Sequence, residues 1–382
     1  MNKEREKKKI LKKNEPIMTR AYGNTGLDVT ALGFGAMRFE KPDNIDHSAE
    51  TVYHAFERGI TYFDTAPGYF DGKSEQAVGT AVKEMKKTGR PFFISTKSNK
   101  ADGNTVRKEL EESLKRLNLD CIDFYNCWYV LTLEDWEKRK KGGAVDAILQ
   151  AQEEGLIKFP VFSTHLPGNE VRTVIEEGCF RGVTLGYSAI NFPYREEGIR
   201  AAAEHNLGVV VMNPLGGGTI VNNTDSFQFI KREHEQSILE AALHFLWAHD
   251  EITVALVGCR NTSDVDDAVA AAATYKPYSE EDITRIKKNI TRDFNQLCTS
   301  CTYCDVCPED IPVWKFVETA NHVILGTSGS LSGRLKYYWG ANPTDMERCI
   351  QCGQCESACT QHIPIMERFE MLKEALLEEP AK

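Results

Sequence analysis

Thr61-Tyr62-Phe63-Asp64, then residues 74–86, then Phe92-Phe93-Ile94-Ser95-Thr96: a short apolar run, a helix-spaced stretch and a second apolar run form the unit on which this chain is built. The unit recurs in both directions. Further strands are expected at 31–34, 122–127, 161–163, 183–185, 209–212 and 253–257. Further helices are expected near 47–58, 105–117, 144–154, 170–177, 197–204, 237–248 and 263–273. In residues 105–117, Val106, Leu110, Ser113, Leu114 and Leu117 fall on one stripe that can bury. Eight strand–helix repeats over about 250 residues predict an α/β fold, a closed parallel (β/α)8 TIM barrel. An open doubly wound sheet is the competitor. No Gly-x-Gly-x-x-Gly opens a helix after the first strand, which lowers that option. Ahead of the repeats, Gly23-Asn24-Thr25-Gly26 is a turn signal between short extended pieces and predicts a small hairpin.

Beyond the repeats the composition changes. Cys298-x-x-Cys301-x-x-Cys304-x-x-Cys307-Pro308 is followed by Cys349-x-x-Cys352-x-x-Cys355-x-x-x-Cys359, and these runs hold eight of the twelve cysteines. The second run has the spacing of a bacterial ferredoxin ligand set. Three thiolates at this spacing wrap one face of a cubane 4Fe–4S cluster, and the fourth comes from the other run. Cys298, Cys301, Cys304 and Cys359 are therefore assigned to one cluster, and Cys349, Cys352, Cys355 and Cys307 to a second. Structural zinc is the plainer alternative, because C-x-x-C pairs also hold Zn²⁺. Zinc has no use for so regular a repetition. Disulfides are disfavoured in a long chain without a secretory signal. The spacing leaves open whether the clusters carry electrons or brace the fold.

Three segments are expected: a basic tail over 1–17, the barrel over 18–291, and a small α-helical ferredoxin-like domain over 292–382. Residues 277–291 read as a polar connecting helix. Residues 365–379 read as an amphipathic helix carrying Met366, Phe369, Leu372, Leu376 and Leu377. In residues 1–14, seven Lys or Arg stand against Glu4 and Glu6 without the apolar core of a signal peptide. A net charge of −10 argues against a nucleic-acid partner. No apolar run reaches the length of a membrane span. Oxygen-sensitive clusters and free thiols point to a reducing cytoplasm.

In a (β/α)8 barrel the active site lies at the C-terminal ends of the strands. Asp64 ends the second barrel strand, Tyr69 follows on its loop, and Lys97 ends the third. A lysine cation beside a tyrosine lowers its pKa, and a carboxylate can hold that lysine in place. Tyr69 would then act as a general acid toward a carbonyl oxygen. A buried Asp64–Lys97 pair beside a packed tyrosine fits the spacing equally well.

At this point the chain resembles the aldo-keto reductase family, in its branch with a C-terminal ferredoxin-like domain. The resemblance covers nearly everything from Thr19 onward. It is carried by Leu32-Gly33-Phe34-Gly35-Ala36-Met37-Arg38, Phe63-Asp64-Thr65-Ala66 with Tyr69, Ser74-Glu75-Gln76-Ala77-Val78-Gly79, Ser95-Thr96-Lys97 and Asp123-Phe124-Tyr125. Met212-Asn213-Pro214-Leu215-Gly216-Gly217-Gly218, Val257-Gly258-Cys259-Arg260 and both cysteine runs complete it. The resemblance implies NAD(P)H-dependent carbonyl reduction by an Asp–Tyr–Lys–His tetrad. Asp64, Tyr69 and Lys97 carry over. Trp128, expected just past its strand, takes the place of the histidine, and His165 is a candidate substitute. Indole only donates a hydrogen bond and cannot relay a proton.

By the same resemblance Ser163 and Asn191 would face the nicotinamide, with Thr164 where the family has an asparagine. Gly35, Met37, Pro214, Leu215, Gly216, Gly217, Gly258 and Arg260 would line the rest of an NADP or NAD site. Glycines allow backbone N–H groups close to a pyrophosphate. Arg260 would take a 2′-phosphate.

Three functions follow. The first is hydride exchange between NAD(P)H and a small-molecule carbonyl or alcohol, with clusters for electron transfer or structure. The second is a nicotinamide-independent reductase in which clusters pass single electrons from a ferredoxin or other electron-transfer partner. The third is a non-catalytic electron-transfer or scaffold module.

Overall fold

The structure is a computed structural model, and it describes residues 16–290, 297–327 and 329–379. The basic tail and the expected boundary at Arg292 lie outside the described residues. β1 (Thr19–Ala21) and β2 (Asp28–Thr30) pair antiparallel, with Thr19 opposite Thr30. This is the expected hairpin.

Eight parallel strands follow: β3 (Leu32–Gly35), β4 (Tyr62–Asp64), β5 (Phe93–Ser98), β6 (Ile122–Val130), β7 (Ile157–Thr164), β8 (Gly182–Gly186), β9 (Gly208–Met212) and β10 (Val254–Gly258). They close in the order β10-β3-β4-β5-β6-β7-β8-β9, and β9 pairs with β10 to complete the ring. The expected (β/α)8 barrel is the fold. Helices Ile45–Glu57, Lys73–Lys87, Gly103–Leu117, Ala144–Glu153, Gly168–Glu176, Glu196–Glu204, Ile238–Trp247 and Thr262–Ala273 fall close to their expected ranges. In Gly103–Leu117 the buried residues are Val106, Leu110, Ser113, Leu114 and Leu117. Asp102 caps its start by accepting the Thr105 N–H.

Three elements depart from expectation. β6 runs to Val130 rather than Cys127, with a register shift between those residues. Trp128 and Tyr129 therefore lie inside the strand, not after it. Nearly every position of this strand is buried, so alternation does not mark its end. β7 begins at Ile157 rather than Val161. Pro160 argues against a strand there, yet it pairs with Tyr125, and its carbonyl accepts the Arg181 N–H at 2.8 Å. The helix Leu133–Lys141 was not expected, because its buried residues are only Trp136 and Arg139. That is too short a stripe to read.

One end of the barrel interior is filled by Tyr22, Val29, Tyr62, Phe124, Val161, Val210, Val254 and Leu256. Tyr22, from the hairpin, lies 4.2 Å from the Phe124 ring. Gly182 and Gly208, the first residues of β8 and β9, make room for it. A β-carbon at either would come within 2.4 and 2.2 Å of Tyr22.

The chain forms two compact units. The first comprises residues up to Tyr187, Phe192–Pro214 and Leu239–Ser279. The second comprises Ser188–Asn191, Leu215–Ile238 and the chain from Glu280 onward. The expected connecting helix spans Glu280–Asn289. The amphipathic helix spans Ile365–Glu378 and meets helix Val313–Ile324 through an edge-on Phe316–Phe369 contact at 5.7 Å. Phe369 and Leu372 bury, whereas Leu377 is 87% exposed. Among the described residues no helix is long and apolar enough to cross a membrane.

Truncating the stripe tests this packing. Leu110→Ala should cost about 2–5 kcal/mol in urea unfolding. Exposed Lys108→Ala on the same helix should stay within about 0.5 kcal/mol.

Candidate functional site

Asp64 is the last residue of β4 and pairs in register with Ser95 of β5. Side chains two apart on a strand share a face, so Lys97 points the same way as Ser95. Lys97 Nζ donates to Asp64 Oδ1 at 2.5 Å, and Ser95 Oγ donates to Oδ2 at 2.9 Å. Both charged side chains are only 4% exposed. β6 extends the network: Asn126 Nδ2 donates to Ser95 Oγ at 3.0 Å and to the Thr96 carbonyl at 3.2 Å. Thr184 of β8 donates to Asn126 Oδ1 at 3.2 Å. One polar chain thus crosses the barrel interior from β4 to β8.

Tyr69 is half-buried on the loop after β4. Its N–H donates to the Ala66 carbonyl at 3.1 Å. Ser74 anchors the loop by donating to the Ala36 carbonyl and sharing a hydrogen bond with Thr65, each at 2.7 Å. Glu75, fully buried, accepts from Thr96 Oγ at 2.7 Å and Arg116 Nε at 2.6 Å. The Ser74-Glu75 pair thus fixes the loop. Phe70 and Asp71 take φ of 52° and 53° immediately after Tyr69. Bulky residues rarely adopt that region, and such strain concentrates at functional sites.

The Tyr69 ring packs edge-on against Trp128 at 5.7 Å. Lys97 Nζ lies 5.1 Å from the Tyr69 ring centroid and 5.8 Å from that of Trp128. Asp64, Lys97, Tyr69 and Trp128 therefore gather at one end of the barrel. The expected lowering of the Tyr69 pKa is corrected. Burial first, and the Asp64 charge second, push its phenol well above the usual tyrosine value, while Arg38 pulls it back. Lys97 is held by Asp64 and sits against the ring face. The phenol stays protonated, which is the form a general acid needs.

His165 lies just past β7 and is 3% exposed. Its ring is edge-on to Tyr129 at 6.4 Å, and Tyr129 packs against Trp128 at 5.2 Å. It stands one ring removed from Trp128. Ser163 is 3% exposed and opposite Thr184. Thr164 Oγ donates to the Val130 carbonyl at 3.0 Å and accepts the Leu166 N–H at 3.0 Å, so it braces its loop. Gly35 pairs with Asp64 and with Gly258. Met37 is half-buried beyond the end of β3. A β-carbon on Gly258 would meet Arg38 Cγ at 2.8 Å. Arg260 grips Asp264 with two guanidinium hydrogen bonds, of 2.8 and 3.0 Å.

Ser95, Asn126, Thr184 and Arg38 were missed as site residues. The period of two along β5 was the available signal for Ser95. Asn126 and Thr184 need the strand register.

In the second unit, Asn191 accepts from Ser188 Oγ at 2.9 Å. Leu215 opens the glycine loop that follows β9 and Pro214. Gly216, Gly217 and Gly218 take φ of 59°, 67° and 102°. All twelve cysteines are free. Cys298, Cys301, Cys304 and Cys359 act on one another electrostatically: burial first, then neighbouring thiolates, raise the Cys298, Cys304 and Cys359 thiols. Burial pushes Cys355 up to about 11, and Cys349 adds to the rise. Backbone N–H groups of Ser300 and Ile363 donate to the sulfurs of Cys298 and Cys359 at 3.4 Å each. Such N–H···S bonds suit thiolates that bind a cluster.

The closed barrel with its Asp–Lys–Tyr mouth is the frame of an oxidoreductase of a known family, and the cysteine-rich segment after it matches a 4Fe-4S domain. The Aldo/keto reductase family model matches residues 31–290, and the chain belongs to that family. A 4Fe-4S dicluster domain model matches residues 297–363. L-galactose dehydrogenase of Arabidopsis thaliana is 28% identical over 292 residues, covering 67% of this chain and 88% of its own. An aldo-keto reductase of Schizosaccharomyces pombe, named with NADP(+), is 28% identical over 222 residues, 53% of this chain and 62% of its own. The holo form of an aldo-keto reductase from Bacillus halodurans superposes with a TM-score of 0.63 at 22% identity, over 72% of this chain and 97% of that one.

Breaking the Asp64–Lys97 pair tests its weight. Lys97→Met leaves a buried carboxylate uncompensated and should cost about 3–5 kcal/mol in chemical denaturation. The double variant Asp64→Leu/Lys97→Met should lose much less.

Proposed function

We propose that this chain moves hydride between NAD(P)H and a carbonyl or alcohol carbon, with Tyr69 exchanging the proton at the oxygen. The observation that carries this reading is the Tyr69 ring 5.1 Å from Lys97 Nζ, beside a buried Asp64–Lys97 pair. When bound, the nicotinamide ring supplies or accepts the hydride. Tyr69 gives its phenolic proton to the substrate oxygen in reduction and recovers it in oxidation. Lys97, kept in place by Asp64 and Ser95, lends positive charge to the phenolate that forms. Trp128 packs edge-on beside Tyr69 and offers a flat apolar wall. In the first unit Ser163 is suited to the carboxamide, with Gly35, Met37 and Gly258 as further cofactor contacts. Asn191, Pro214, Leu215, Gly216 and Gly217 are candidates by the family resemblance alone. Arg260 can reach a 2′-phosphate by leaving Asp264, at small cost for an exposed pair.

Cys298, Cys301, Cys304 and Cys359 would hold one 4Fe–4S cluster, and Cys349, Cys352, Cys355 and Cys307 a second. When bound, the clusters would exchange single electrons with a ferredoxin or a similar partner, or brace the fold, and neither role is a step of the hydride exchange. Two observations favour a second reading, in which single electrons reach the substrate without nicotinamide. A tryptophan stands where the family has its histidine. The close approach that Gly217 permits is taken by the Thr299 carbonyl oxygen, which a β-carbon there would meet at 1.9 Å.

An anaerobic titration of the cluster-loaded chain with NADPH and NADH, read by nicotinamide fluorescence, separates the two. Micromolar binding is expected; none up to millimolar nucleotide leaves the one-electron route. Tyr69→Phe should lower kcat about 10²–10⁴-fold with nucleotide affinity unchanged. The reductive rate needs protonated Tyr69, whose pKa is raised. It should therefore hold through neutral pH and fall only above about pH 10, the ordinary tyrosine value.

A further inference from the structure

Cys298 is held by more than its sulfur. Asn321, on the helix Val313–Ile324, is 3% exposed, and its amide meets both backbone polar groups of Cys298. The Cys298 N–H donates to Asn321 Oδ1 at 2.9 Å, and Asn321 Nδ2 donates to the Cys298 carbonyl at 2.9 Å. The same carbonyl accepts a second hydrogen bond from Thr219 Oγ at 3.2 Å. One residue on, the Thr299 carbonyl lies against Gly217, whose φ of 67° and missing side chain allow the approach.

An amide side chain reproduces the paired donor and acceptor of a backbone. Asparagine is a poor helix former, so its place inside this helix is explained by the two bonds it makes to Cys298. A carbonyl oxygen has two lone pairs, and both partners of the Cys298 carbonyl are now named. Its dipole is thereby fixed, from the helix on one side and from the glycine loop on the other.

We infer that Asn321 and Thr219 are positioning residues for the iron–sulfur cluster that includes Cys298, and that the Thr219 bond couples this cluster to the Gly216–Thr219 loop. The inference rests on the cluster assignment above and is independent of the nicotinamide reading. Coupling of this kind is reciprocal: what changes the charge on the cluster changes the loop, and what releases the loop changes the cluster. The sign follows from electrostatics. Without the Thr219 hydroxyl, the Cys298 carbonyl keeps more of its negative charge and disfavours the reduced, more negative cluster.

The test uses the full chain with its clusters, handled anaerobically. Iron and sulfide content and the electron paramagnetic resonance spectrum of the reduced wild type come first. A wild type that holds no 4Fe–4S cluster overturns the cluster assignment and this inference together. With clusters present, potentiometric titrations compare Thr219→Val, which keeps the volume and removes the hydroxyl, with Thr219→Ser, which keeps the hydroxyl. The expected result is a lower midpoint potential for one cluster in Thr219→Val, the other unmoved, and a return to the wild-type value in Thr219→Ser. Wild-type potentials for both clusters in a loaded Thr219→Val chain overturn the inference. If Thr219→Val does not hold iron, hydrogen exchange of residues 215–222 in the oxidised and the reduced wild type decides. A difference between the two states supports the coupling, and identical exchange overturns it.

Discussion

Asp64 and Lys97 face each other inside the barrel, out of water, and the arrangement of the mouth depends on that pair. An isolated buried charge is expensive, and a buried pair persists only when its remaining lone pairs and protons are satisfied. Here Ser95 takes the second carboxylate oxygen, Asn126 supports Ser95, and Thr184 supports Asn126. The pair and its supports come from four strands, so the pair requires the barrel to be closed and in register. A slip of one residue in β5 would turn Ser95 and Lys97 away from Asp64. Burial first, and the Asp64 charge second, make Tyr69 a poor phenolate. Lys97 is committed to the carboxylate, and burial governs the ring. A phenol that stays protonated at neutral pH follows from this.

The second unit faces a different constraint. Its core contains Ile311, Phe316, Leu335, Met346, Phe369 and Leu372, but also Cys298, Cys304, Cys355 and Cys359. Buried thiols this close raise one another's pKa, so the set is costly to ionise without a cation to receive it. Metal binding and folding are linked in such small modules. In the proposed cluster sites, the backbone N–H groups aimed at Cys298 and Cys359, and the Asn321 clamp, would be the fold's share of that work.

Much of the barrel was legible beforehand because its signals are local. The stripe Val106, Leu110, Ser113, Leu114 and Leu117 needs only the helical period. Asp64 and Lys97 needed only the rule that strand ends carry the chemistry. Other features were hidden for identifiable reasons. Leu133–Lys141 buries too few residues to show a period. The strand at Val161 starts four residues earlier than expected, across Pro160, a residue that strands disfavour. Trp128 was placed after its strand, because a strand buried on both faces does not announce where it stops. The direction of the Tyr69 shift was misread, since proximity to a lysine says nothing of whether that lysine is already paired.

The order of the residues by itself determined the repeat of strand and helix, the cysteine spacing and the identity of the groups at the strand ends, because each is a matter of neighbours along the chain. Tertiary structure alone decided which of those groups meet. It set Asn126 and Thr184 behind Asp64, turned Trp128 edge-on to Tyr69, and laid the Thr299 carbonyl on Gly217 with Thr219 bonded to Cys298. Those contacts join residues tens of positions apart. Strand register, barrel closure and burial select them, and no local pattern encodes any of the three.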